Sequence, residues 1–193
     1  MSYNLKDVFY LSAQHVYAHG TFGSAGVESA QPIDVSAYVD PIAKGRTKGQ
    51  GLAVYKVHAQ VGKDTTGSNQ IASDTGGLNY GLTVKPFTTS GDDITGIGAP
   101  DLTPASDLAI YLGSYTSPAS AVAGQACNPV GASYLEPSAE VPYVVVRDTI
   151  YMIAETFIGM SSGDSMCVSY RMECAMVTLD QSTLNQLLRT QTA

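Results

Sequence analysis

MCVSYRMECAMVTL, residues 166–179, is the stretch that decides the fold. Met166, Val168, Tyr170, Met172, Cys174 and Met176 alternate with Cys167, Ser169, Arg171 and Glu173. A period of two is what a strand needs when one face meets a core, and a helix would break it. Ordinary strands run to about five or six residues, so this one is predicted to cross the full height of a sheet. GLAVYKVHAQV (51–61) repeats the pattern, with Ala53, Tyr55, Val57, Ala59 and Val61 on one side and Lys56, His58 and Gln60 on the other.

Working outward, the same reading predicts strands at KDVFYLS (6–12), QHVYAH (14–19), LNYGLTVK (78–85), DLAIYLGS (107–114), PYVVVRD (142–148) and TIYMIAETF (149–157). Arg147-Asp148 serves either as a turn between the last two or as a bend within one long strand. The segments between are rich in Gly, Pro, Ser, Asp and Asn, which break regular structure, and are predicted as loops. These include GTFGSAGVESAQP and the uncharged region 114–135. Only TLDQSTLNQLLRTQ at the C-terminus reads as helix. Asp180 or Thr178 caps it, Leu184, Leu187 and Leu188 form an apolar stripe, and Arg189 sits at the negative end of the dipole. A short helix over 35–43 is opposed by Pro41. The fold class is therefore all-β: a single jelly roll or β-sandwich of about eight strands with a short C-terminal amphipathic helix. The β domain is placed at 1–179, with the helix and tail at 180–193. An immunoglobulin sandwich is disfavoured, because there is no Trp and Cys167 and Cys174 are too close for an inter-sheet bridge.

Composition narrows the function. Of 193 residues 14% are charged, against roughly 25% in an average soluble domain, and the net charge is −7. A hydrophobic content of 44% excludes a disordered acidic tail. No run approaches the roughly 18 apolar residues of a helical membrane span. The N-terminus MSYNLKDVFYLS shows no signal-peptide pattern. Cys127, Cys167 and Cys174 match no C-x-x-C spacing and are expected to be buried free thiols. The acidic balance opposes strong nucleic-acid binding, and the one basic cluster, Lys44, Arg46 and Lys48, reads as a solvated loop. From Lys85 to Arg147 no basic residue intervenes, while Asp92, Asp93, Asp101, Asp107, Glu136 and Glu140 all fall there.

No constellation of acid, base and nucleophile emerges, so an enzyme is not expected. GMSSG matches the G-x-S-x-G pattern around Ser161, but a strand follows where the nucleophile elbow needs a helix. It reads as a β-turn. His15 and His19 would lie roughly 13 Å apart on a strand, too far to share a metal ion, and are read with His58 as ordinary polar histidines. VGKDTTG lacks the first glycine of a phosphate loop. Asp92 and Asp93, in a Gly-bounded loop, are the candidates for a Ca²⁺ bridging a subunit contact; otherwise no cofactor is expected.

The strand set from KDVFYLS to MCVSYRMECAMVTL, the long acidic loops and the closing TLDQSTLNQLLR helix resemble the small single jelly-roll capsid proteins of icosahedral viruses. That resemblance implies a self-assembling shell subunit of a virion coat, built in the host cytoplasm, with copies of itself and a second capsid protein as partners. Its contacts would run through uncharged loops, since the core of such interfaces is depleted in charge. Tyr115, Pro118, Cys127, Tyr134, Leu184, Leu187 and Leu188 are the subunit-contact candidates. The lone Lys6 at the start departs from the basic arm of RNA-packaging capsids, and points to a DNA virus with an internal membrane or separate packaging system. The alternatives are a carbohydrate- or receptor-binding module, spike- or lectin-like, stacking its ligand on Tyr111, Tyr115 and Tyr134, and a phage tail or tube protein. A hydrolase using Ser161 ranks last.

Overall fold

The computed structural model describes residues 7–17, 26, 28–40, 48–63, 76–85, 104–117, 130–158 and 166–192. Among them are nine strands and one helix. In chain order they are β1 (Phe9–Tyr17), β2 (Glu28–Asp34), β3 (Lys48–Lys63), β4 (Gly76–Thr83), β5 (Ala109–Ser117), β6 (Val130–Leu135), β7 (Tyr143–Val145), β8 (Thr149–Ile158), β9 (Met166–Asp180) and α1 (Gln181–Thr192). One sheet has the order β1-β9-β3-β7 and the other β2-β8-β4-β5-β6.

The pairings explain this order. β1 pairs with β9, β2 with β8, β3 with β7 and β4 with β5, all antiparallel. The first four strands thus meet the later ones in reverse, as the two arms of one long hairpin. Rolling that hairpin sets β9 against β3 and β8 against β4 and divides it into two stacked sheets. β6 then extends the second sheet beyond β5. A rolled hairpin of this connectivity is a jelly roll.

The core lies between the sheets. From β9 it takes Val168, Tyr170, Met172 and Cys174, and from β3 Leu52, Val54, Val57 and Val61. β4 and β8 contribute Leu78, Tyr80, Leu82, Ile150, Met152 and Ala154 from the facing sheet. Three core rings, Tyr80 of β4, Tyr111 of β5 and Tyr170 of β9, stand 6.2–6.4 Å apart centre to centre, and Tyr170 donates its hydroxyl hydrogen bond to the Gly81 carbonyl. This ties the two sheets together at the middle of the sandwich.

Alternation holds along β9 only as far as Cys174. Met176 is 53% exposed, while Ala175 is buried with Ala53 and Tyr55 on the opposite face. β3 carries a bulge beside this stretch: its register with β9 shifts between Val54 and Lys56, with Tyr55 as the extra residue. The bulge moves Ala53 and Tyr55 to the face opposite Val57 and Val61, so the single face read across GLAVYKVHAQV is corrected to two.

Other boundaries shift for local reasons. The two strands read at 6–12 and 14–19 are one, β1, which runs through Ala13. β2 was predicted as loop. It is an edge strand with Pro32 in it and little alternation in its burial, so periodicity does not reveal it. β6, within the region read as an uncharged loop, is likewise an exposed edge strand. Arg147-Asp148 forms a turn, and the Val35 amide donates to the Asp148 carbonyl at 2.8 Å. Residues 36–38 form a turn rather than a helix, closed by the Tyr38 amide on the Val35 carbonyl. Cys167 and Cys174 are buried free thiols, and burial pushes Cys174 up to about 12.

Candidate functional site

The C-terminal helix begins where Asp180 Oδ1 accepts a 2.7 Å hydrogen bond from the Thr183 amide, a side-chain cap on a helix with no acid in its first turn. Leu184, 1% exposed, packs over Gly49. The approach is so close that a Cβ at residue 49 would stand 2.6 Å from Leu184 Cδ2. At its far end the helix closes an edge. β7 pairs with β3 on one side and would leave its outward amides bare on the other. Gln191 fills that position: its Oε1 accepts from the Val146 amide at 3.1 Å and its Nε2 donates to the Val144 carbonyl at 2.6 Å. The side-chain amide therefore stands in for one residue of a further strand. Arg147 Nη1 in turn donates to the Gln191 carbonyl at 2.9 Å, satisfying the helix end.

The outward face of the β1-β9-β3 sheet is a polar trough of about 770 Å³. Strand register sets its rows: Ser12, Arg171 and His58 lie abreast, then Gln14, Ser169 and Gln60. The serines leave a low floor between longer side chains. The Arg171 guanidinium lies 4.0 Å over the Tyr10 ring, a cation–π contact that holds it in place. His58 Nε2 is 3.2 Å from Glu173 Oε1. The next row is Tyr10, Glu173 and Lys56.

On the opposite sheet's outer face, Glu28 of β2 stands directly across from Glu155 of β8, followed in the same row by Asn79 and Ser114. Glu28 Oε2 is shielded and has no hydrogen-bond partner among the described residues. Burial first, then the Glu155 charge, raise its carboxyl to about 7. Burial and the same Glu155 charge push the Tyr134 phenol up. Nearby, His15 of β1 and Ser29 of β2 share a 3.0 Å hydrogen bond between the two sheets. His15 is 3% exposed, and desolvation lowers it to about 4. It is a neutral core histidine, which corrects its reading as an ordinary polar histidine like His58.

The predicted contact residues part company in the structure. Tyr134 is 40% exposed on β6, and Leu187 and Leu188 are half-buried on α1. Tyr115 is 7% exposed inside the sandwich, and Leu184 is used within the subunit. Tyr111, at 3% exposure, and Tyr115 are therefore closed to a stacked ligand, against the lectin-like reading. Pro118, Cys127, Asp92, Asp93, His19 and Ser161 lie outside the described residues. His58 is exposed, as its strand pattern requires. Among the described residues no three His, Cys, Asp or Glu side chains gather where a metal ion could sit. No described helix is long and apolar enough to cross a membrane.

Sequence reasoning missed three features: the Gln191 edge closure, the Glu28–Glu155 pair and the trough around Arg171. For the trough the signal was present, since Arg171 and His58 both fall on the outward side of their strands. Recognising the other two needed the strand order.

No family model and no curated protein matches the chain. Solved structures similar to it include Merkel cell polyomavirus VP1 in complex with disialyllactose, at 8% identity and a TM-score of 0.45, covering 93% of this chain and 98% of that one. A second is VP1 of Trichodysplasia spinulosa-associated polyomavirus in complex with GM1 oligosaccharide, at 10% identity and a TM-score of 0.42, covering 93% and 96%. A third is apo New Jersey polyomavirus VP1, at 6% identity and a TM-score of 0.41, covering 89% of this chain and 100% of that one.

Proposed function

We propose that this chain is a coat subunit, a jelly roll that assembles with copies of itself into the shell of a virion. The observation that carries the reading is the contrast between the inside of the sandwich and its rim. Among the described residues the space between the sheets is filled by aliphatic side chains and tyrosines, as a scaffold requires. The rim shows large apolar side chains to solvent: Val141 at 75%, Tyr10 at 54%, Met176 at 53%, Ile158 at 51% and Val16 at 44%. Single exposed apolar residues are ordinary. Here they accompany a chain sparse in charged residues, at 14%.

The test is electron microscopy of the purified protein together with its mass in solution. Closed shells or symmetric multimers support the reading. A stable monomer at all concentrations, above all one that binds glycans, overturns it. Residence in the virion follows from the same reading.

A further inference from the structure

We propose that copies of this chain meet head to tail, the acidic turn 136–141 of one copy seating in the polar trough of the next. The inference rests on the coat-subunit reading and names the surfaces that carry it. The turn, EPSAEV, is a built element: the Ser138 amide donates to the Val141 carbonyl at 3.2 Å, and the Val141 amide donates to Ser138 Oγ at 3.1 Å. It presents Val141 at 75% exposure, with the exposed carboxylates of Glu136 and Glu140 beside it. No basic residue lies within the chain from 86 to 146 to neutralise them.

The trough is the chemical complement. Arg171 offers a guanidinium fixed against Tyr10, and Lys56 is exposed one row further on beside Glu173. The Glu173 carboxylate is turned to His58 at 3.2 Å, so the two cations outnumber the one acid of these rows. Gln14 and Gln60 line the trough with amides that can bond the backbone of an incoming turn. The floor over Ser12 and Ser169 leaves room for a small branched side chain. The half-exposed Tyr10, one row beyond the lining and with Arg171 over its ring face, leaves its ring edge as an apolar flank for Val141. Charge, shape and apolar contact thus agree on one occupant, a second copy of this chain.

A chain cannot satisfy the contact by itself. The turn leads into β7, which is fixed at the edge of the sheet by pairing Tyr143 with Val54, while the trough lies on the face between β1, β9 and β3. The two patches differ, so the contact is heterologous. Heterologous contacts propagate into rings or shells, whereas an isologous contact stops at a dimer.

The test is sedimentation of the wild type, Arg171→Glu, Glu140→Arg and the double variant in about 0.15 M salt, where charges beyond about 8 Å are screened. Each single reversal is expected to raise the concentration for half-assembly at least about tenfold, and the double variant to recover most of that loss. Circular dichroism establishes that each variant is folded. Should either reversal misfold, Lys56→Glu and Val141→Ser take its place, since both sites are exposed. Reversals that assemble like wild type, or a folded double variant with no recovery, overturn the interface and leave the coat reading standing. A wild type that never assembles overturns both.

Discussion

Replacing Gln191 with Ala should destabilise the protein far more than its position in the last turn of α1 suggests. The substitution removes two hydrogen bonds at once, from Gln191 Oε1 to the Val146 amide and from Gln191 Nε2 to the Val144 carbonyl. Val146 is fully buried, so its amide has no water to turn to. An orphaned buried polar group costs about 1–3 kcal/mol. The Val144 carbonyl is half-buried and recovers part of its bonding from solvent, so we expect a total of about 2–3 kcal/mol. Urea unfolding followed by far-ultraviolet circular dichroism measures the loss. Hydrogen exchange locates it: the Val146 amide should lose protection while Leu82 in the opposite sheet keeps its own. The bared edge of β7 should also raise the tendency to aggregate. A change below about 0.5 kcal/mol, or an unchanged Val146 amide, would refute the account of Gln191 as a substitute strand.

Three further outcomes follow from the packing and the titrating groups. Leu184→Ala should lower stability by about 2–4 kcal/mol because the side chain fills the space over Gly49. An effect on assembly alone, with unchanged unfolding, would restore Leu184 as a contact residue. Gly81→Ala should cost about 2–3 kcal/mol, because the new Cβ would collide with the Tyr111 carbonyl, which is backbone and cannot swing aside; a melting temperature within a degree of wild type would contradict this. The pH dependence of stability should show two opposed limbs. Glu28, raised to about 7 in the fold from 4.5, stabilises fully below 4.5 and loses that contribution as pH climbs through 7. His15, lowered to about 4 from 6.5, stabilises above 6.5 and loses that contribution as pH falls through 4. Glu28→Gln should remove the alkaline limb, worth about 1–2 kcal/mol after allowing for solvent around the carboxylate. A wild-type profile flat from pH 4 to 8 that Glu28→Gln leaves unchanged would dismiss the Glu28–Glu155 pair as a source of instability.

What could be read from the chain in advance depended on how each strand is buried. β9 and β3 have one face in the core, and their alternation is plain in the residues. β2 and β6 lie at the edges of their sheet, where few side chains are buried, and so carry no period to detect. The bulge at Tyr55 is invisible for a related reason. An extra residue is evident only against the register of a partner strand, and β9 lies more than a hundred residues away. The helix was legible because its cap and apolar stripe are local. What Gln191 does with its amide was not, since Val144 and Val146 meet it only through the fold. Tyr111 and Tyr115 show the limit of composition: tyrosines suited to a binding surface are here core residues between two sheets.

The sparse charge of this protein takes on meaning once its placement is known. With a net charge of −7, identical subunits repel one another at long range, and a contact that matched a single-sign patch to itself would set like charges face to face. The chain places its signs unevenly: Glu173 is the one acid beside the two cations of the trough rows, and it is turned to His58 at 3.2 Å. Arg171 and Lys56 lie on the outward face of one sheet, and the acids of 136–140 lie on a turn at its edge. Only a contact between unlike patches turns that separation into attraction. Such pairing sets register and encounter rate more than affinity, and the apolar rim, Val141 above all, must supply the larger part of the binding. Raising salt should therefore slow association of the wild type more than it speeds dissociation. Replacing Val141 with Ser should do the reverse, shortening the lifetime of the assembled state with little effect on its rate of formation.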